Sequence, residues 1–237
     1  MKINDPAYVR DQYASEAGLA ARKAIYTEVT GRDARDIVFD AVAEVRPRSV
    51  LEVGCGQGEL AQRIRRELDV QVIAIDQSER MVELARGRGV DAHVGDVQQL
   101  AFADGLFDVA IAAWMLYHAS DLDRAVRELA RVVRPGGRLV AATNASDHLL
   151  EMRRLARVRD FDFSFTAENG AEILGRHFAR IETRDATGTV TLRDSEQIRS
   201  YLRSSERLAE GAERVPELTE PLIARRRPVV FVADKAA

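Results

Sequence analysis

The chain has one cysteine, Cys55, so no disulfide can form within it and a reducing, cytoplasmic setting is expected. Histidine is nearly as sparse: His93, His118, His148 and His177 are scattered, none with a second ligand at metal spacing, and no metal is expected. Lysine occurs only at Lys2, Lys23 and Lys235, and Lys plus Arg total 35 against 38 Asp plus Glu, for a formal net charge of −3. A chain without a basic excess has no field for gripping a phosphate backbone, so no nucleic-acid partner is expected. Long apolar runs are also missing. The longest, Val109 to Leu116, is too short to cross a bilayer, and Met-Lys-Ile-Asn-Asp-Pro at the start lacks the apolar region of a signal peptide. Neither a membrane partner nor secretion is expected.

No Pro/Gly/Ser-rich linker, repeat or low-complexity segment divides the 237 residues, of which 46% are apolar and 31% charged. One domain is expected, with a helical cap over 1–45, a core over 49–144 and a C-terminal half over 145–237. Asp5-Pro6 reads as an N-cap and first helical residue, opening a helix or helix pair that runs to about Val29. The spacing of Ile37, Val38, Ala41, Val42 and Val45 predicts a second amphipathic helix over 33–45. Short apolar strands then alternate with helices: strands at 49–53, 72–75, 92–94 and 109–113, helices at 59–68, 78–86 and 121–133. Pro135-Gly136-Gly137 is expected to stop the last of these before a strand at 138–143. A helix near 166–176, strands near 180–184, 189–192 and 229–232, and a helix over 195–209 complete the reading. Such alternation means an α/β fold, doubly wound, with a mostly parallel sheet covered on both faces.

The chemistry gathers at strand ends. Leu51-Glu52-Val53-Gly54-Cys55-Gly56-Gln57-Gly58 stands at a strand-to-helix junction, where glycines let the backbone turn tightly and approach a ligand. A dinucleotide fingerprint would need glycine at position 59, which is Glu59 here, and no P-loop lysine follows. Asp76, with Gln77 beside it, ends the second strand 24 positions after Glu52, where a carboxylate can accept both hydroxyls of an adenosine ribose. Asp96 follows the third strand and can accept from an adenine amino group while Val97 covers the ring. Either acid could instead cap the next helix, but two at successive strand ends beside a glycine turn favour a nucleoside site.

Glu52-x-Gly54-x-Gly56-x-Gly58, Asp76, Gly95-Asp96, Phe107-Asp108 and Leu129 through Pro135-Gly136-Gly137-Arg138-Leu139 resemble the successive motifs of class I S-adenosylmethionine (SAM) dependent methyltransferases. Trp114-Met115-Leu116-Tyr117-His118 is similar to the segment after the fourth strand in the small-molecule branch, which includes quinone-biosynthesis methyltransferases. The resemblance covers roughly Ser49 to Asn144. It implies a seven-stranded sheet whose last strand inserts antiparallel, and SAM as cofactor with S-adenosylhomocysteine (SAH) as product. It also implies that Gly54, Gly56 and Gly58 approach the methionine part, Asp76 the ribose, Asp96 with Val97 the adenine, and backbone at Ala112 the amino group. The Asn/Asp-Pro-Pro-aromatic motif of nucleic-acid amino-methyltransferases is replaced by Ala112-Ala113-Trp114-Met115, which argues against methylation of bases.

The expected reaction is in-line methyl transfer to an O, N or C atom of a small metabolite, driven by positioning and exclusion of water. His118, just after the fourth strand, is the candidate base where the acceptor must lose a proton, and packing is its ordinary alternative. Tyr8, Tyr13 and Tyr117 are candidates to line the acceptor cavity, Tyr13 as a catalytic candidate beside His118, the flanking aromatics Phe161, Phe163 and Tyr201 to cover it, and Arg22 to pair with the cofactor carboxylate. Cys55 reads as a small filler of the turn. Two alternatives stay open: a SAM-binding partner subunit without turnover, and a nicotinamide oxidoreductase, against which the absent third glycine counts. A homodimer is compatible with the sequence.

Overall fold

A computed structural model describes Asn4, residues 17–158 and residues 163–237. Tyr8, Tyr13, Phe161 and the Asp5-Pro6 helix start lie outside the described residues. In chain order the elements are α1 (Ala17–Ala24), α2 (Ala34–Ala43), β1 (Ser49–Val53), α3 (Glu59–Leu68), β2 (Gln71–Asp76), α4 (Glu79–Gly87), β3 (Asp91–Val94), β4 (Phe107–Ala113), α5 (Leu122–Val132) and β5 (Val133–Asn144). There follow α6 (Leu150–Leu155), α7 (Gly170–Leu174), β6 (Arg180–Asp185), β7 (Gly188–Leu192), α8 (Ser195–Arg203), α9 (Glu206–Ala212), β8 (Leu222–Arg226) and β9 (Pro228–Asp234).

Seven strands form one sheet in the order β3-β2-β1-β4-β5-β9-β6. β9 runs antiparallel to both neighbours and the other pairs are parallel, as the resemblance implies. Alternate residues of the central strands serve opposite faces. Leu51, Ala110 and Leu139 join one apolar cluster with Val126 and Leu129 of α5. Val50, Ile111 and Val140 join a second with Val38 and Val42 of α2, Ile64 of α3 and Val82 of α4. Burial on both faces is why these strands read as continuous apolar runs. A third cluster stands apart, built from Ile25, Met152, Val190, Ile198, Leu202 and Ala224. It joins α1, α6, α8 and the two-stranded β7–β8 sheet into the cap.

Helix starts obey local chemistry: Asp33, Ser78, Asp121 and Asp194 each accept a backbone N–H of the first turn. Several boundaries differ from the sequence reading. Pro135-Gly136-Gly137 interrupts no strand; it lies inside β5, where the register to β4 shifts between Phe107 and Val109. A β-carbon at Gly137 would stand 2.8 Å from the Asp108 carbonyl oxygen, so glycine permits the bulge to press on β4. The expected helix over 195–209 is two, separated at Ser204-Ser205, and the one near 166–176 shortens to α7. Val45 lies beyond α2 and is exposed. α6 and β8 have no counterpart in the sequence reading.

Candidate active site

The turn leaving β1 is bound to the end of β2. The N–H groups of Gly54 and Cys55 donate to the Ile75 carbonyl oxygen at 2.8 and 3.1 Å, and Gly58 N–H closes the turn on Cys55 O at 2.9 Å. Asp76 clamps the turn with its side chain: Oδ2 accepts from Gly56 N–H and Oδ1 from Ser78 N–H, both at 2.9 Å. Burial raises the Asp76 pKa against the pull of the Ser78, Gly56 and Gln77 N–H groups. Gln77 is exposed beside it.

Gly54, Gly56 and Gly58 all hold positive φ, at 68°, 54° and 75°. Their surroundings differ. A β-carbon at Gly54 would stand 2.6 Å from Met115 Cβ, and one at Gly58 would stand 2.8 Å from Ala85 Cβ of α4. At Gly56 it would meet no protein atom within 4 Å among the described residues. Two of the three glycines therefore serve packing of the chain on itself, and Gly56 alone faces open space.

Glu52 points into the same region from β1 and is buried. Burial pushes its carboxyl up to about 8; the Ala61 N–H pulls the other way and the Asp76 charge adds to the rise. Glu52 Oε2 is buried with no hydrogen-bond partner among the described residues. Such an unsatisfied carboxyl oxygen beside an open glycine fits a ligand that brings a polar partner. Cys55 is buried, and burial with the charges of Glu52 and Asp76 raises its thiol, which suits a filler and not a nucleophile.

β3 ends beside β2, with Asp76 opposite Val94 and Gly95 N–H donating to Asp76 O at 3.0 Å. The Asp96 carboxylate accepts from Gln98 N–H at 2.8 Å and from Gln98 Nε2 at 3.1 and 3.2 Å. Gln98 Oε1 in turn accepts from Ser120 Oγ and Asp121 N–H, at 2.8 and 2.7 Å. Gln98 thus ties the Asp96 carboxylate to the start of α5, a role no local pattern announces. Val97 is buried below.

Ala112 lies in β4 opposite Ala141 with its side chain wholly buried, so only its backbone can face a ligand. The chain then leaves β4 through Trp114 at a φ of 54°, fixed by Trp114 N–H to Ala142 O at 2.8 Å and indole Nε1–H to Asn144 Oδ1 at 3.3 Å. His118 follows in a short 3-10 turn, Leu116–His118, half-buried, with its ring centroid 4.6 Å from that of Tyr117, which meets Phe163 at 5.6 Å. From above, Lys23 Nζ donates to Glu59 Oε2 at 2.6 Å, tethering α1 to the helix that opens the glycine turn. The structure thus gathers Glu52, Cys55, Gly56, Asp76, Gln77, Asp96 and His118 along one carboxyl edge of the sheet, where ligands of open α/β folds bind.

The strand order, the inserted antiparallel β9 and this edge define a Rossmann-like fold of the class I methyltransferase type. Residues 51–141 match a family model described as a methyltransferase domain. Among curated relatives, the malonyl-[acyl-carrier protein] O-methyltransferase of Pseudescherichia vulneris is 35% identical over 125 residues, 52% of this chain and 49% of that protein. The demethylmenaquinone methyltransferase of Thermotoga maritima is 35% identical over 109 residues, 45% of this chain and 48% of that protein. The chain thus spans about half the length of these relatives. Among solved structures, the [4+2]-cyclase SpnF superposes with a TM-score of 0.63 at 23% identity, covering 97% of this chain and 95% of that one.

Proposed function

We propose that this chain transfers a methyl group from SAM to a small-molecule acceptor. The observation that carries this reading is the open space at Gly56, flanked by the orphaned Glu52 Oε2 and the inward-held Asp76 carboxylate. When bound, SAM supplies a methyl group on a cationic sulfur, already activated toward displacement. The chain's part is to hold and to exclude water. Gly56 leaves room for close approach. Asp76 keeps lone pairs for ribose hydroxyls beyond the N–H groups of Gly56, Gln77 and Ser78 that it already accepts, and Asp96, held by Gln98, presents an acceptor to the adenine amino group. Backbone at Ala112 faces the methionine amino end. His118, on the rim, takes a proton only from an acceptor that must lose one. Arg225, Arg226 and Arg227 and the acidic balance of the chain support a small molecule over nucleic acid, since Arg225 pairs with Glu151, Arg227 with Asp147, and Arg226 with backbone carbonyls. No helix among the described residues is long and apolar enough to cross a membrane.

Calorimetry with SAH tests the site directly. Wild-type chain is expected to bind it, and Asp76→Ala to bind at least tenfold more weakly, about 1.4 kcal/mol. NADH binding in place of SAH would overturn the reading. A screen of metabolites with methyl-labelled SAM then tests turnover; SAH binding without transfer to any acceptor would leave a binding subunit instead, because one fold hosts many activities.

A further inference from the structure

The loop that follows β3 is fixed to α5 at several points, and one of them reaches the Asp96 carboxylate itself. Glu128 Oε2 accepts Leu100 N–H at 2.9 Å, and the Arg131 guanidinium donates to Leu100 O at 2.9 Å and to Phe102 O at 2.7 Å. These bonds hold residues 100–102 without the Gln98 side chain. Gln98 acts closer to the ligand edge. Its Oε1 accepts from Ser120 Oγ and Asp121 N–H, while its Nε2 donates to both oxygens of Asp96, at 3.1 and 3.2 Å.

The orientation of that amide is forced from both ends. A backbone N–H can only donate and a carboxylate can only accept, so Oε1 must face Asp121 and Nε2 must face Asp96. Asp121 is the N-cap of α5, and its own side chain accepts Arg124 N–H at 3.0 Å. In a capping box the side chain at the third helical position would return an acceptor to the N-cap N–H. Here that residue is Arg124, whose side chain has only donors. Gln98 supplies the missing acceptor from another loop, and the lock at that end aims its NH₂ group at Asp96. The carboxylate so held stays open to a ligand. Asp96 is exposed, and its Oδ1 also takes Gln98 N–H at 2.8 Å, which leaves Oδ2 the less engaged oxygen. Gly95 N–H donates to Asp76 O, so the two acids are neighbours along the carboxyl edge. Val94, opposite Asp76 in the register, is 54% exposed and adds an apolar side chain at the same strand end.

An acceptor fixed in place favours a base that brings an amino group to it, because no ordering is left to be done on binding. A 6-oxo purine carries an oxygen at that position and a donor only at the neighbouring N1. A carboxylate pinned by an amide cannot swing to that donor, and a free one can. We propose that Gln98 is the positioning residue by which the cofactor site distinguishes adenine from a 6-oxo purine, its amide pinning the Asp96 carboxylate to the start of α5. This rests on the methyltransferase reading, in which Asp96 faces the adenine amino group.

The test titrates the full chain by calorimetry with two probes that differ only at that edge of the base, SAH and its deaminated analogue S-inosylhomocysteine. Wild type is expected to bind SAH at least about tenfold more tightly than the analogue. Gln98→Met keeps the length of the side chain and removes its bonds, and Gln98→Ala removes everything beyond Cβ. Each is expected to cut the preference at least about fivefold. Gln98 is only half-buried and residues 100–102 keep their own bonds to α5, so both variants are expected to melt near wild type. A side chain that merely supports the fold would weaken both probes alike, which leaves the ratio unchanged. Asp96→Asn exchanges one acceptor for a donor and is expected to abolish or reverse the preference. Wild-type preference in either folded Gln98 variant overturns the proposal, and so does a preference that survives Asp96→Asn. Equal affinity of wild type for the two probes overturns the proposal alone, because the cofactor site would still stand. Wild type that binds neither probe overturns the methyltransferase reading, and this proposal with it.

Discussion

Gly54, Gly56 and Gly58 share a left-handed backbone, and what separates them is the atom waiting where a side chain would be. The sequence spacing marks them as one group at a strand end, but it carries no information on their neighbours. Met115 and Ala85, which crowd Gly54 and Gly58, come from β4's exit and from α4. Gly56→Ala meets no atom of the described residues within 4 Å, so its cost to folding is the left-handed conformation, about 1–2 kcal/mol. Its methyl would still stand in the proposed cofactor space. Gly58→Ala adds a clash with a helix backbone, 3.0 Å from Ala85 Cα, and is expected to cost about 2–4 kcal/mol. Thermal melts and SAH calorimetry should then give opposite rankings: Gly58→Ala loses more Tm, and Gly56→Ala loses more affinity per degree of Tm lost. Equal SAH affinity in Gly56→Ala and wild type would remove the turn from the cofactor site. His118→Gln asks a separate question. If the imidazole is the base, single-turnover rates should fall about 100-fold with SAH affinity unchanged, and a normal rate leaves positioning as the mechanism.

Elements with one buried face or a capped start were legible, and those defined by a distant partner were not. β1 and α3 appear where the apolar pattern puts them. β8, Leu222-Ile-Ala-Arg-Arg226, carries two arginines and becomes a strand through pairing with β7, thirty-odd positions earlier. Pro135-Gly136-Gly137 is a strong break signal locally, yet pairing with β4 on one side and the Gly136 N–H to Ala236 O bond on the other keep the strand going. At the same end of β5, Arg138 joins three elements: it donates to Asp234 of β9 at 2.8 Å, to Ala41 O of α2 at 3.0 Å, and to Glu44 at 3.0 Å. Its side chain is 13% exposed, so truncation leaves poorly solvated acceptors behind. Arg138→Met is expected to cost about 2–4 kcal/mol, or about 4–16 °C in Tm for a chain of this size, without weakening SAH binding at the far edge of the sheet. A Tm within 1–2 °C of wild type would mean these contacts are solvent-balanced.

Across the whole molecule, the least legible feature in sequence is the cap, whose Tyr26–His148 contact leaves no local periodicity. Its chemistry nevertheless shapes stability together with the cofactor edge. His148 sits near 3 in the fold against 6.5 unfolded, so between those values the unfolded chain binds a proton the fold does not, and stability rises with pH. Glu52 works in reverse. Its carboxyl sits near 8 against 4.5, so between those values the fold keeps a proton the unfolded chain releases, and stability falls as pH rises. The two windows overlap from 4.5 to 6.5, where the slopes oppose each other. From 6.5 to 8 only the carboxyl sense of Glu52 remains. Urea midpoints of the ligand-free chain are therefore expected to be nearly level from pH 5 to 6.5 and then to fall by up to about 1.4 kcal/mol per pH unit toward 8. Glu52→Gln removes the titrating group while keeping its shape. In that variant the level region should become a rise, with the His148 slope unopposed, and the fall above 6.5 should flatten. A fall of wild-type steepness in Glu52→Gln would place the responsible carboxyl elsewhere, and Glu52 would then not be the protonated, half-satisfied group that a polar atom of the cofactor completes.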